Sequence, residues 1–148
     1  MKRAGACPCD AVRFSIDGPV RDVIVCHCEA CQEATGGPWA ASAVHRADLV
    51  VEDAGAIAWE RASVSEHRAS RGRCRTCGTV VFWDAPGRET VSFAAATLAG
   101  GPTPAVAAHI WVPEKEREAL LGTGLQVESK GLPKSAGVRW HDEAPGRG

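Results

Sequence analysis

Seven cysteines carry the chemical content of this 148-residue chain, and they fall in three groups: Cys7 and Cys9 in "CPC", Cys26, Cys28 and Cys31 in "CHCEAC", and Cys74 and Cys77 in "CRTC". Short C-x-C and C-x-x-C spacings bring thiolates close enough to share one metal ion. Disulfides fit less well. The count is odd, no secretory pattern follows the basic start "MKRAGACPCD", and cytosolic thiols stay reduced.

A structural zinc takes four ligands. Cys7, Cys9, Cys74 and Cys77 supply four, and together they would tie the N-terminus to the middle of the chain. Such a clip contributes folding energy directly, because the unfolded chain has no preformed site. Gly78, just after the second pair, supplies the permissive backbone that a metal knuckle needs. Cys26, Cys28 and Cys31 remain. Three thiolates leave one tetrahedral position open, the mark of a catalytic or ligand-binding zinc. A sulfur-rich site prefers a fourth sulfur, so the expected ligand is a small thiol. The alternative completes the shell with His27, His109 or another protein group and makes a second structural site. His27 lies between two ligands, so its ring should point away from a metal they share. Spacing does not fix pairing, and other divisions of the seven cysteines stay open.

The segments that must position these thiols read as strands with short interruptions. "AVRFSI" alternates Val12, Phe14 and Ile16 on one face, the period of a half-buried strand. "DGP" is a turn, and "VRDVIV" is a second strand that delivers Cys26 and Cys28 at its end. "EACQEATGG" makes one or two helical turns, stopped by Gly36 and Gly37. "PWAASAV", residues 48–52 and residues 56–61 are further strands, the last two joined by a turn at 53–55. "RCRTCGTVVFW" is a knuckle running into a strand. "ETVSFAAATL" and "AAHIWV" are strands on either side of a "GGPTP" loop, the latter with His109 and Trp111 on one face. "PEKEREALL" makes a short helix with Pro113 in its first turn. Residues 1–125 read as one zinc-binding domain. Residues 126–148 read as a polar extension ending in a disordered "DEAPGRG" tail.

Composition narrows the function classes. The formal net charge is −1, which disfavours a dedicated nucleic-acid binder. No run approaches the roughly 20 apolar residues that span a bilayer, so the expectation is a soluble, cytoplasmic protein.

"GACPCDAVRFSIDGP", "VCHCEACQEATGG", "RCRTCGTVVF" and "HIWV" together resemble the glutathione-dependent formaldehyde-activating enzymes, the GFA or CENP-V/GFA domain. The resemblance spans most of residues 5–112. It implies a mainly β, Mss4-like β-tent of small coiled antiparallel sheets with short helices, stabilised by zinc. It places a structural zinc on Cys7, Cys9, Cys74 and Cys77, and a second zinc on Cys26, Cys28 and Cys31, which then serve as the catalytic residues. The implied activity is that of a carbon–sulfur lyase joining glutathione, or a related thiol, to formaldehyde or another small aldehyde. The alternative is a non-catalytic zinc module for thiol carriage or macromolecular interaction. The chain departs from the family pattern in places. Asp10 stands where a glycine usually follows C-x-C. Gln32 and Glu33 stand where basic residues often follow the third cysteine of the middle group. Arg73 replaces a common aromatic, and Leu98-Ala99 replaces Leu-Asp.

Other residues have a plain reading beside a functional one. His27 is a proton shuttle, or else a supporting or solvent-facing group. Thr35, Gly36 and Gly37 line a substrate mouth or merely end a helix. Trp39, Trp59, Trp83 and Trp111 read as core, and His109 as structural. Arg68, Arg71 and Arg73 draw an anionic substrate, balance the four-thiolate zinc, or form a solvated strand face.

Overall fold

The alternation in "AVRFSI" marks the centre of the fold: Val12, Phe14 and Ile16 are all buried. A computed structural model describes residues 2–62, 68–99, 104–133 and 137–141. Among these, β1 (Lys2–Ala6), β2 (Arg13–Asp17) and β6 (Leu49–Val51) form a small antiparallel sheet in the order β1-β2-β6.

A second, larger sheet contains β3 (Val20–Arg21), β4 (Val23–Cys26), β5 (Trp39–His45), β7 (Ile57–Arg61), β8 (Ser70–Cys74), β9 (Val80–Asp84) and β10 (Thr90–Ala94). It also contains β11 (Val106–Ile110), β12 (Gln126–Val127) and β13 (Trp140–His141). Its main path runs β12-β11-β4-β5-β10-β9-β8-β7, with β3 bridging β5 and β13. Most pairings are antiparallel, but β11 lies parallel to both β4 and β12. Two α-helices, α1 (Glu29–Thr35) and α2 (Glu114–Leu121), and three single 3-10 turns lie among the described residues. The mainly β architecture with short helices is the one expected from the sequence.

The core lies between the two sheets. Phe14 from β2 meets Phe82 edge-on at 5.2 Å and Phe93 at 5.8 Å, with Val44, Ile57 and Val91 around them. Gly5 lies opposite Phe14 across β1 and β2, and a Cβ there would sit 2.1 Å from the ring. The aromatic core therefore needs a residue without a side chain at position 5. On the other face of the large sheet, Trp39, Ala41, Val80 and Ala94 make a smaller cluster with Cys31.

Several readings need correction. "VRDVIV" is two strands, broken at Asp22. That carboxylate is buried and engaged: it accepts from the Arg139 backbone N–H at 3.1 Å and pairs with His141. Pro113 occupies the N-cap of α2, just ahead of its first turn. Trp59 and Trp111 are not core. Trp59 is 50% exposed because β7 is the sheet's edge, although one ring face still stacks on Phe82. Trp111 is 41% exposed, since β11 ends at Ile110 and Trp111 turns out at φ +54°. The segment read as a C-terminal extension supplies β12 and β13 to the large sheet. Most of the "GGPTP" loop and the whole "DEAPGRG" tail lie outside the described residues. Among the described residues, no helix is long and apolar enough to cross a membrane.

Candidate metal centres

The thiols gather into two groups, divided as the sequence suggested. Cys7, Cys9, Cys74 and Cys77 form one and Cys26, Cys28 and Cys31 the other, with all sulfurs of a group within 4.8 Å of one another.

Two similar knuckles build the first group. Cys7 follows β1, and its sulfur accepts the Val12 N–H at 3.3 Å. Cys74 ends β8, and its sulfur accepts the N–H groups of Thr76 and Cys77 at 3.4 Å each. The residue after each second cysteine is left-handed: Asp10 at φ +65° and Gly78 at φ +77°. This explains why Asp10 can replace a glycine, because Asp is among the few residues that tolerate this region. Cys9 Sγ lies 3.5 Å from Cys7 Sγ and 3.6 Å from Cys74 Sγ. Sulfurs bound to one tetrahedral zinc stand about 3.8 Å apart, so the group fits that ion with small adjustments. The Thr79 hydroxyl and backbone, with the neighbouring thiols, bring Cys77 down to about 6. The Cys77 and Thr76 amides lower Cys74. Cys77 is thus poised as a thiolate, the form a metal requires, and Cys74 is shifted toward it, whereas burial and the neighbouring thiols push Cys9 up.

The second group is assembled at the junction of β4 and α1. Cys26 is the last residue of β4. Cys28 is the N-cap of α1, its sulfur accepting the Cys31 N–H at 3.2 Å. Cys31 lies in the first turn, 3.2 Å from Cys26 sulfur to sulfur. Gly36, left-handed at φ +82°, closes the helix by donating to the Gln32 carbonyl. Thr35 bonds to the Cys31 and Gly37 carbonyls, in keeping with the plain reading of a helix stop. Hydrogen bonds from the Cys26 and Cys31 thiols hold Cys28 far below the usual thiol range, aided by the Cys31 amide and the Arg71 charge. The same contacts and burial push Cys26 up. Of the three, Cys28 is therefore the thiol held furthest toward thiolate. Cys31 is buried, whereas Cys26 and Cys28 keep partial access to solvent.

Among the described residues, no fourth His, Cys, Asp or Glu atom joins this trio. His27 is not a ligand. It is 7% exposed, and its Nε2 lies 2.8 Å from His109 Nδ1. Its buried Nδ1 has no hydrogen-bond partner. The expectation that it faces away from the metal agrees with this; the solvent-facing alternative does not. Burial, then the facing charge of His27, lowers the His109 pKa.

The three arginines separate. Arg68 is exposed. Arg73 pairs with Glu60 at 2.6 Å and also donates to the Gly78 and Ala34 carbonyls, joining the second knuckle to α1. Arg71 is 8% exposed and points its Nη2 at Cys31 Sγ, 3.8 Å away. Sequence reasoning did not place Arg71 at this trio. Alternation in β8 sets Arg71 and Arg73 against Gly72 and Cys74, so both face away from the four-thiol group, but only the tertiary fold brings Arg71 to the trio. A larger cleft, about 950 Å³, is lined by His45, Arg46, Trp59, Asp84 and Arg88 among others, but by none of the thiols. The reactive groups lie elsewhere, and chemistry outranks volume in choosing the site.

The chain is mainly β, with two cysteine groups able to hold metal. The sequence model of the family described as "Glutathione-dependent formaldehyde-activating enzyme" matches residues 2–114, and the chain belongs to that family. A crystal structure of a Rhodobacter sphaeroides protein, a structural-genomics target, is similar at TM-score 0.54 and 21% identity. The match covers 86% of this chain and 99% of that one, and it supports the fold. No curated protein matches.

Proposed function

We propose that this chain is a zinc-dependent enzyme of the carbon–sulfur lyase type, acting on a thiol–aldehyde adduct. The expected reaction joins glutathione, or a related thiol, to formaldehyde. The observation carrying this reading is the trio itself: three thiols within 4.8 Å, two of them partly exposed, with no fourth protein ligand among the described residues.

Cys7, Cys9, Cys74 and Cys77 would hold a structural zinc. Cys26, Cys28 and Cys31 would hold a second zinc, whose chemistry is to bind an incoming thiol and keep it deprotonated at neutral pH. The chain's own part is positional. The end of β4 and the first turn of α1 would hold the three donors together, with Cys26 and Cys28 partly exposed. In the forward direction the thiol sulfur adds to the aldehyde carbon and a C–S bond forms. The carbonyl electron pair moves to oxygen, which takes up the proton lost by the thiol. The reverse breaks that bond. The protein would act in the cytoplasm.

The test is exchange spectroscopy of glutathione and formaldehyde. Wild-type protein should speed interconversion of free and hydroxymethylated thiol above the uncatalysed rate, and Cys28→Ser should not. Equal rates with and without wild-type protein, across several small thiols, would refute the enzyme reading.

A further inference from the structure

We propose that Arg71 is the charge-balancing residue of the three-thiol centre, and that it positions the centre to accept a fourth, anionic ligand. This rests on the reading that Cys26, Cys28 and Cys31 hold a metal.

Arg71 is a buried cation in the middle of β8. Its cross-strand neighbours are Trp83 on β9 and Glu60 on β7. Glu60 is the acid in register, but its carboxylate is bound by Arg73 at 2.6 Å. Among the described residues, the acceptor that Arg71 reaches is Cys31 Sγ at 3.8 Å. A buried guanidinium with no anion is costly, so the thiol group is its natural counter-charge.

The charge count shows why the centre needs it. Three thiolates around a divalent ion sum to −1, and an external thiolate makes −2. Both sums are expensive in a partly buried site. Arg71 brings them to 0 and −1. Its fixed charge thus favours the loaded centre and favours it more once a thiolate ligand has entered. The residues after the third cysteine, Gln32 and Glu33, bring no positive charge, so here the cation arrives from across the sheet.

The experiment is competitive cobalt loading against a chelator, following each equivalent of metal by its thiolate charge-transfer absorption. Arg71→Gln, Arg71→Met and Arg71→Lys are compared with wild type; the Met variant keeps an apolar stem for packing if Gln perturbs the fold. Removing the charge should weaken the second equivalent by about tenfold to a hundredfold, as for other groups that support metal ligands. The first equivalent and the melting temperature should hold, and Arg71→Lys should recover most of the lost affinity. Unchanged loading of the second equivalent in Arg71→Gln or Arg71→Met would overturn the proposal. So would equal weakening of both equivalents, or no recovery by Lys. If wild type itself takes only one equivalent, the metal reading of the trio fails before Arg71 is in question.

Discussion

Cys9 and Cys74 are 65 residues apart in sequence, yet their sulfurs stand 3.6 Å apart. That contact joins the turn between β1 and β2 to the knuckle between β8 and β9, and so couples the small sheet to the large one. Cys7 and Cys74 are themselves part of the buried core.

Cys74→Ser should therefore prevent stable folding. Structural zinc sites contribute about 10–16 kcal/mol in small domains, comparable with or larger than a domain's whole stability. Expected outcomes are little soluble protein and loss of the cooperative melt. A soluble variant with wild-type zinc content and melting temperature would contradict the assignment.

Cys28→Ser should behave in the opposite way. Serine is a good N-cap, so it keeps the cap on the Cys31 N–H while removing one of the three thiols proposed to hold metal. With the cap retained, variant and wild type compared without metal on the trio should differ by about 1 kcal/mol or less. The variant should fold, melt within a few degrees of wild type and carry one metal equivalent fewer. Cys28→Ala, which loses the cap as well, should be about 1 kcal/mol less stable than Cys28→Ser. Elemental analysis beside chemical denaturation checks both.

Gly5→Ala is a test of the core rather than of the metal. Its Cβ would overlap Phe14, so the ring or β1 must shift. Overpacking of this kind costs about 1–3 kcal/mol. A denaturation midpoint equal to wild type would show that Phe14 has room to move.

His109 gives a pH signature. Its folded pKa lies below the ordinary value of 6.5, through burial first and the facing His27 second. Below about pH 6.5 the unfolded chain takes up a proton there that the folded chain resists. The associated stability is thus present above 6.5 and lost as pH falls toward the folded value. Wild type should lose melting temperature relative to His109→Gln as pH is lowered through that window. A constant difference between the two would contradict it.

Much of this was legible in the sequence because it depends on local pattern. Strict alternation placed Val12, Phe14 and Ile16 inward, and the short cysteine spacings, which leave other divisions open, are compatible with the two groups the thiols form. Gly36 and Gly78 marked a helix end and a knuckle, both at positive φ. What escaped depends on partners distant in sequence. Asp22 interrupts an apolar run because its carboxylate is bound by the Arg139 amide and His141. Strands β12 and β13 are two residues each, too short to show a period. Trp59 resembles a core residue in sequence; only the sheet order reveals that β7 is an edge. The approach of Arg71 to Cys31 is equally non-local, since the two lie 40 positions apart.

The central claim is that Cys26, Cys28 and Cys31 form an open metal centre that accepts an external thiol. The most direct measurement is a titration of the protein loaded with two equivalents of cobalt, following the charge-transfer band that Cys28→Ser lacks. Added glutathione, or another small thiol, should strengthen and shift that band in a saturable way, leaving the four-cysteine signal alone. A band that already reports a complete four-ligand shell from protein groups, and that no small thiol perturbs, would contradict the account.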